Sequence, residues 1–189
     1  MRIIPIVLTI LSAMSFACKN QPGNNNKPIS SSQNRPPGTE ARVAKASDSG
    51  SVEAVIKAYL EMKNAFAKDD SKGAAEAGNS LKTSLNGLSK AQMTDTQQKI
   101  YSDLADDVTE HAEHIAANKG NIKHQREHFK LLSEDIYDLV KGFGAPETLY
   151  NDYCPMYKAS WLSEFKEIRN PYFGNAMISC GQIKETIQK

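Results

Sequence analysis

Glycine-rich phosphate loops and GxSxG nucleophile elbows are absent from this 189-residue chain, which removes the usual sequence grounds for nucleotide binding and for serine hydrolysis. Basic patches and basic–aromatic interleaving are also missing. Over residues 51–189, 17 Lys and Arg stand against 20 Asp and Glu, a net charge of −3, so nucleic acid is not an expected partner. Cysteine is scarce: there are three, and their spacing fits no closed zinc motif. Asp103, Asp106, Asp107, Glu110 and Glu113 crowd one segment, but the Glu-x-x-His pairs that a di-iron bundle draws from two helices are not found. These carboxylates read as a solvated helix face, and the expectation is a binding protein rather than an enzyme.

What is present begins with a leader. Met1-Arg2 is a short positive start, Ile3 to Met14 is mostly apolar, and Ser15-Phe16-Ala17-Cys18 places small residues before a cysteine. A run of about a dozen apolar residues is too short to span a bilayer and fits a signal-peptide core. Residues 1–18 are therefore expected to be a lipoprotein signal ending at a lipidated Cys18, although Ser15 stands where such signals usually carry Leu. Residues 19–50, with Asn24-Asn25-Asn26, Ser30-Ser31-Ser32 and Pro36-Pro37, have few large apolar side chains to bury and read as a disordered linker. As a flexible coil it would reach roughly 30 Å. The expected location is the cell envelope, periplasmic or at the outer membrane, with the membrane engaged through the lipid.

Residues 51–189 read as one domain, long enough for a real core. Val52, Val55, Ile56, Tyr59, Leu60, Lys63 and Phe66 recur at helical spacing, predicting a helix over 51–68 with Ser51 as N-cap. A second helix is expected over 71–88, with Ala74, Ala77, Leu81, Leu85 and Leu88 inward. A third starts near Thr94 on an Ile100–Leu104–Val108–Ile115 stripe and stops at Asn118 to Asn121. A fourth runs from Ile122 to about Lys141, ended by Gly142 and Gly144. Short connections predict antiparallel neighbours, hence an all-α, up-down four-helix bundle. The last 45 residues concentrate aromatics, and Pro146, Pro155 and Pro171 interrupt them. They predict an irregular aromatic- and cysteine-containing cap with a short helix over 181–188.

Soft and borderline donors lie in two places. Cys154 and Met156 sit in Tyr153-Cys154-Pro155-Met156, and Met177 and Cys180 precede Gly181; all four histidines fall between His111 and His128. Thiolate, thioether and imidazole suit Cu(I) and, less selectively, Zn(II). Folding the third and fourth helices about Lys119-Gly120 sets His111 opposite His128 and His114 opposite Gln125, so every histidine should lie near one loop. His124 and His128, four residues apart, share a helix face. Against this, a histidine at a core edge or on a polar face needs no function. Cys154 and Cys180 also have a second reading, because a bridge between them would close a loop of about 27 residues and stabilise by roughly 3–4 kcal/mol in the chain-entropy model. That alternative is a protein-interaction module without metal, stapled by a Cys154–Cys180 disulfide.

Tyr153-Cys154-Pro155-Met156, Trp161-Leu162-Ser163, Glu167 to Gly174, Met177, Cys180-Gly181 and His124 to Phe129 resemble a bacterial cell-envelope domain of unknown function. That domain occurs in small lipoproteins and as a C-terminal extension of adaptor subunits in RND-type heavy-metal efflux pumps. The resemblance implies handling of copper or a related soft metal, with His114, His124, His128, Cys154, Met156, Met177 and Cys180 as ligands and an efflux adaptor as partner. The chain departs from the pattern in one place: only Tyr157 to Ser160 separates Cys-Pro-Met from Trp-Leu-Ser. Glu167 to Gly174 is expected to be structural, with Arg169 paired to a carboxylate of the helices.

Overall fold

The computed structural model describes residues 51–189. The expected leader, its Cys18 and the linker lie outside the described residues. Four helices come first: α1 (Val52–Ala67), α2 (Ser71–Leu88), α3 (Asp95–Ala117) and α4 (Ile122–Phe143). Three strands and a 3-10 turn follow: β1 (Leu149–Cys154), β2 (Ala159–Ser163), the turn at Gly174–Ala176, and β3 (Gln182–Ile187). Among the described residues no helix is long and apolar enough to cross a membrane.

Local chemistry sets the helix starts. The Ser51 hydroxyl accepts from the Ala54 N–H, the Asp70 carboxylate from Gly73, and the Asn121 side chain from His124. Thr94 and Gln97 form a reciprocal capping box at the head of α3. The expected end of α4 moves: Gly142 lies inside the helix, and Gly144, at φ 87°, stops it. At Gly142 a Cβ would meet the Ile100 side chain of α3, so the glycine lets Ile100 pack against α4.

Successive helices pack in antiparallel sense. Between α2 and α3, Lys82 pairs with Glu113 at 2.6 Å and the Tyr101 hydroxyl donates to the Leu85 carbonyl. At Gly78 a Cβ would come within 2.8 Å of the Ala112 carbonyl oxygen, so the glycine permits the close approach of these two helices. Between α3 and α4, the buried Gln125 amide donates to the Ile115 carbonyl at 2.8 Å. The core centres on Phe129, which stacks on Tyr59 and tilts against Phe66 and Tyr172.

The cap is a three-stranded antiparallel sheet in the order β2-β1-β3, not an irregular segment, and the helix expected over 181–188 is strand β3. The described residues are therefore mostly helical with a small sheet rather than all-α. The register pairs Asp152 with Trp161 and Cys154 with Ala159 on one side of β1, and Tyr153 with Gln182 on the other, with a bulge at Asn151/Asp152. Polar ties hold the sheet to the helices. Lys63, fully buried, pairs with Glu164 at 2.7 Å, and both Tyr137 and Lys141 reach the Glu185 carboxylate at 2.7 Å. Arg126 binds three segments at once, donating to the Pro171 and Phe66 carbonyls and to Asp69. The expected partner of Arg169 is corrected: it pairs with Glu167 of its own loop and lies over the Phe165 ring.

Candidate metal centre

The α3–α4 hairpin closes on Gly120, whose φ of 93° is left-handed, and whose N–H donates to the Ser71 hydroxyl. Its two strands of helix bring the imidazoles together. His111 and His128 face each other with Nδ1 atoms 3.2 Å apart. The His114 and His128 rings stack with centroids 4.2 Å apart, and His124 stands edge-on to both. One ring nitrogen from each of His114, His124 and His128 lies within 4.8 Å of the other two. His114 is exposed, and His124 and His128 are half-buried, so the group opens to solvent.

Burial favours the neutral form of two of these rings, His111 and His128. Burial, reinforced by the neighbouring His114, His124 and His111, lowers the His128 pKa below the ordinary histidine value. Burial lowers His111 as well, against the opposing pull of Glu110 and Asp107. A ring held neutral keeps a lone pair free for a metal. Glu127 lies 3.4 Å from His124 Nδ1, and Glu110 lies 3.9 Å from His114 Nε2. Carboxylates beside ligating imidazoles orient the ring and raise its basicity. Three nitrogens around one ion at about 2.0–2.1 Å must stand closer than 4.8 Å, so binding would draw the rings together through side-chain rotation.

The sulfur donors form a separate pair. Cys154, at the end of β1, is fully buried, and its Sγ lies 3.3 Å from the Sγ of half-buried Cys180. Burial works to raise the Cys154 pKa, but the Tyr157 N–H, the Cys180 thiol, Asn170 and the Met156 N–H together hold it below the ordinary thiol range. The hydrogen bond with Cys154 raises Cys180. Neither cysteine is among the three grouped donors, Met156 is 64% exposed, and Met177 lies in the loop before Cys180. Two residues around the pair carried little sequence signal. Buried Asn170 accepts from the Tyr172 and Phe173 N–H groups and donates to the Cys180 carbonyl, which fixes the loop that presents Cys180. Asp152 is fully buried beside Trp161, and neither its carboxylate oxygens nor Trp161 Nε1 has a hydrogen-bond partner among the described residues. The β1 sequence Leu-Tyr-Asn-Asp-Tyr-Cys does not alternate polar with apolar residues and carries no signal that Asp152 is buried.

Residues 55–148 match the model of a family described as a protein of unknown function (DUF3347). The matched segment covers nearly all of α1 and the other three helices, contains all four histidines, and ends one residue before β1. The Tyr153 to Met156 and Glu167 to Gly174 motifs, and both sulfurs of the pair, lie beyond it. No curated protein and no solved structure matches the chain.

Proposed function

We propose that this protein is a lipid-anchored, extracytoplasmic metal-binding module that serves copper homeostasis or efflux. The observation that carries the reading is the trio of ring nitrogens of His114, His124 and His128, mutually within 4.8 Å on an open face. Imidazoles are borderline donors that favour Cu, Zn and Ni over Mg or Ca, and among divalent first-row ions the affinity order puts copper first. His111, in contact with His128, is the natural fourth imidazole or the group that orients the third. Binding and release need no catalysis. The leader pattern ending at Cys18 supports anchorage outside the cytoplasm, and the resemblance of the C-terminal motifs supports an efflux adaptor as the partner.

The test is titration of the purified full chain with Cu²⁺ and Zn²⁺ under competition with a chelator of known affinity. One ion per chain is expected, with loss in a His114→Ala/His124→Ala/His128→Ala variant. Equal affinity in that variant rejects the assignment. The 3.3 Å sulfur separation favours a second reading for the cap, an interaction module without metal stapled by Cys154–Cys180. A chain that binds no ion and carries that bridge supports it.

A further inference from the structure

The sulfur pair is built asymmetrically. Cys154 is sealed in the core, whereas Cys180 is half-buried in the loop that leads into β3. Both are positioned by backbone hydrogen bonds. The Tyr157 N–H points at Cys154 Sγ from 3.4 Å, the Cys180 N–H donates to the Met177 carbonyl at 3.0 Å, and the Cys180 carbonyl accepts from buried Asn170. A disulfide needs about 2.05 Å between sulfurs, so the 3.3 Å gap closes with a shift of little more than an ångström. Cys180 is the more exposed of the two, so a reagent approaching from solvent meets it first.

We infer that Cys154 and Cys180 form a reversible dithiol that exchanges with small disulfides, Cys180 being the entry sulfur and Cys154 the resolving one. The Cys180 sulfur, as thiolate, attacks one sulfur of a small disulfide R–S–S–R. The S–S bond of the reagent breaks, and the first R–S⁻ leaves and takes up the proton that Cys180 lost. The Cys154 sulfur then attacks Cys180 Sγ, forming the intramolecular bond and expelling the second R–S⁻, which takes up the proton of Cys154. Two electrons pass from the protein to the disulfide, and two small thiols are released. The new bond ties the end of β1 to the loop entering β3, across a hairpin and loop that are otherwise held by hydrogen bonds and by the packing of Tyr157 and Trp161 on Tyr172. This site is independent of the imidazole trio, and its chemistry stands whether or not a metal binds there.

The experiment uses the full chain, reduced and freed of metal with a chelator, and glutathione disulfide as the probe. Peptide mapping by mass spectrometry reads the products. Wild type should lose the two thiols of residues 154 and 180 together, yield a Cys154–Cys180 linked peptide with no lasting glutathione adduct, and recover both thiols in excess reduced glutathione. Cys154→Ser should stop at a glutathione adduct on Cys180, and Cys180→Ser should leave Cys154 unmodified. An adduct on wild type that never resolves overturns the inference. So does a bridge that excess reduced glutathione leaves intact, which would make the pair a permanent staple. Circular dichroism of each variant confirms that it is folded. If a variant is not, the wild-type product pattern alone decides, because resolution to a linked peptide and its reversal are both read there.

Discussion

The imidazole cluster and the sulfur pair are both groups of potential ligands, yet the chain assembles them differently. The four histidines span residues 111–128 of one helical hairpin, so a single turn at Gly120 and the helical repeat suffice to gather them. The cysteines are 26 residues apart and meet only because β1 pairs with β3 across a loop fixed by Asn170. The first group is open to water and made of borderline donors. The second is half sealed and made of two sulfurs close enough to bond. The difference separates the chemistry proposed for them: an ion for the first, a bond between its own sulfurs for the second.

The largest effect should come from the residue both regions share. Phe129 packs on Tyr59 and Phe66 of α1 and on Tyr172 of the cap. Phe129→Ala should destabilise the domain by about 3–5 kcal/mol. Chemical denaturation followed by far-UV and by Trp161 fluorescence should show one coincident transition. Two separated transitions would mean that the sheet and the helices fold as independent units.

Next in size is the comparison of ligands. His124→Ala/His128→Ala should weaken copper or zinc binding by about 100-fold or more, since even residues that only support a ligand cost 10–100-fold when removed. Cys154→Ser/Cys180→Ser should change the same affinity by no more than about threefold if its sulfurs lie outside the site. A reversal of these two results would move the metal to the cap.

Asp152 offers a smaller effect confined to the sheet side. Burial pushes its carboxyl up to about 7, with Lys63 opposing. The folded value is above the unfolded value of about 3.9, so the stabilising contribution is present at low pH and is lost as pH rises through about 7. Asp152→Asn should therefore stabilise the protein at pH 8, by roughly 1–3 kcal/mol, and have little effect near pH 4. Thermal melts at the two pH values check the sign.

On the imidazole side the pH dependence runs the other way. His128 is held below its unfolded value, so the unfolded chain binds its proton first and acidification through about pH 6.5 works against the folded hairpin end. The same protons compete with a metal. Copper affinity should fall by about tenfold or more between pH 7.5 and pH 5.5, while the thiol count of the cap stays constant.

Short-range interactions are what the sequence makes legible. The bounds of α1 and α2, the Thr94 start of α3 and the Gly120 turn follow from apolar spacing and cap chemistry, and so does the meeting of His111 with His128. The cap is not legible in this way. Ile183, Glu185 and Ile187 sit in a polar segment whose spacing suits a helix as well as an edge strand, and only pairing with β1 makes it a strand. Lys63 fell on the apolar stripe of α1 and is indeed buried, but its partner Glu164 lies about a hundred residues away and could not be read.

Taken alone, the amino-acid order settled four amphipathic helices and the gathering of imidazoles beside one turn, because capping and the 3.6-residue repeat act between near neighbours. The tertiary structure decided that the cap is a sheet, that Asp152 is buried with no hydrogen-bond partner among the described residues and that the two sulfurs stand 3.3 Å apart. Strand pairing and burial depend on groups distant along the chain, and no local pattern encodes which of them will meet.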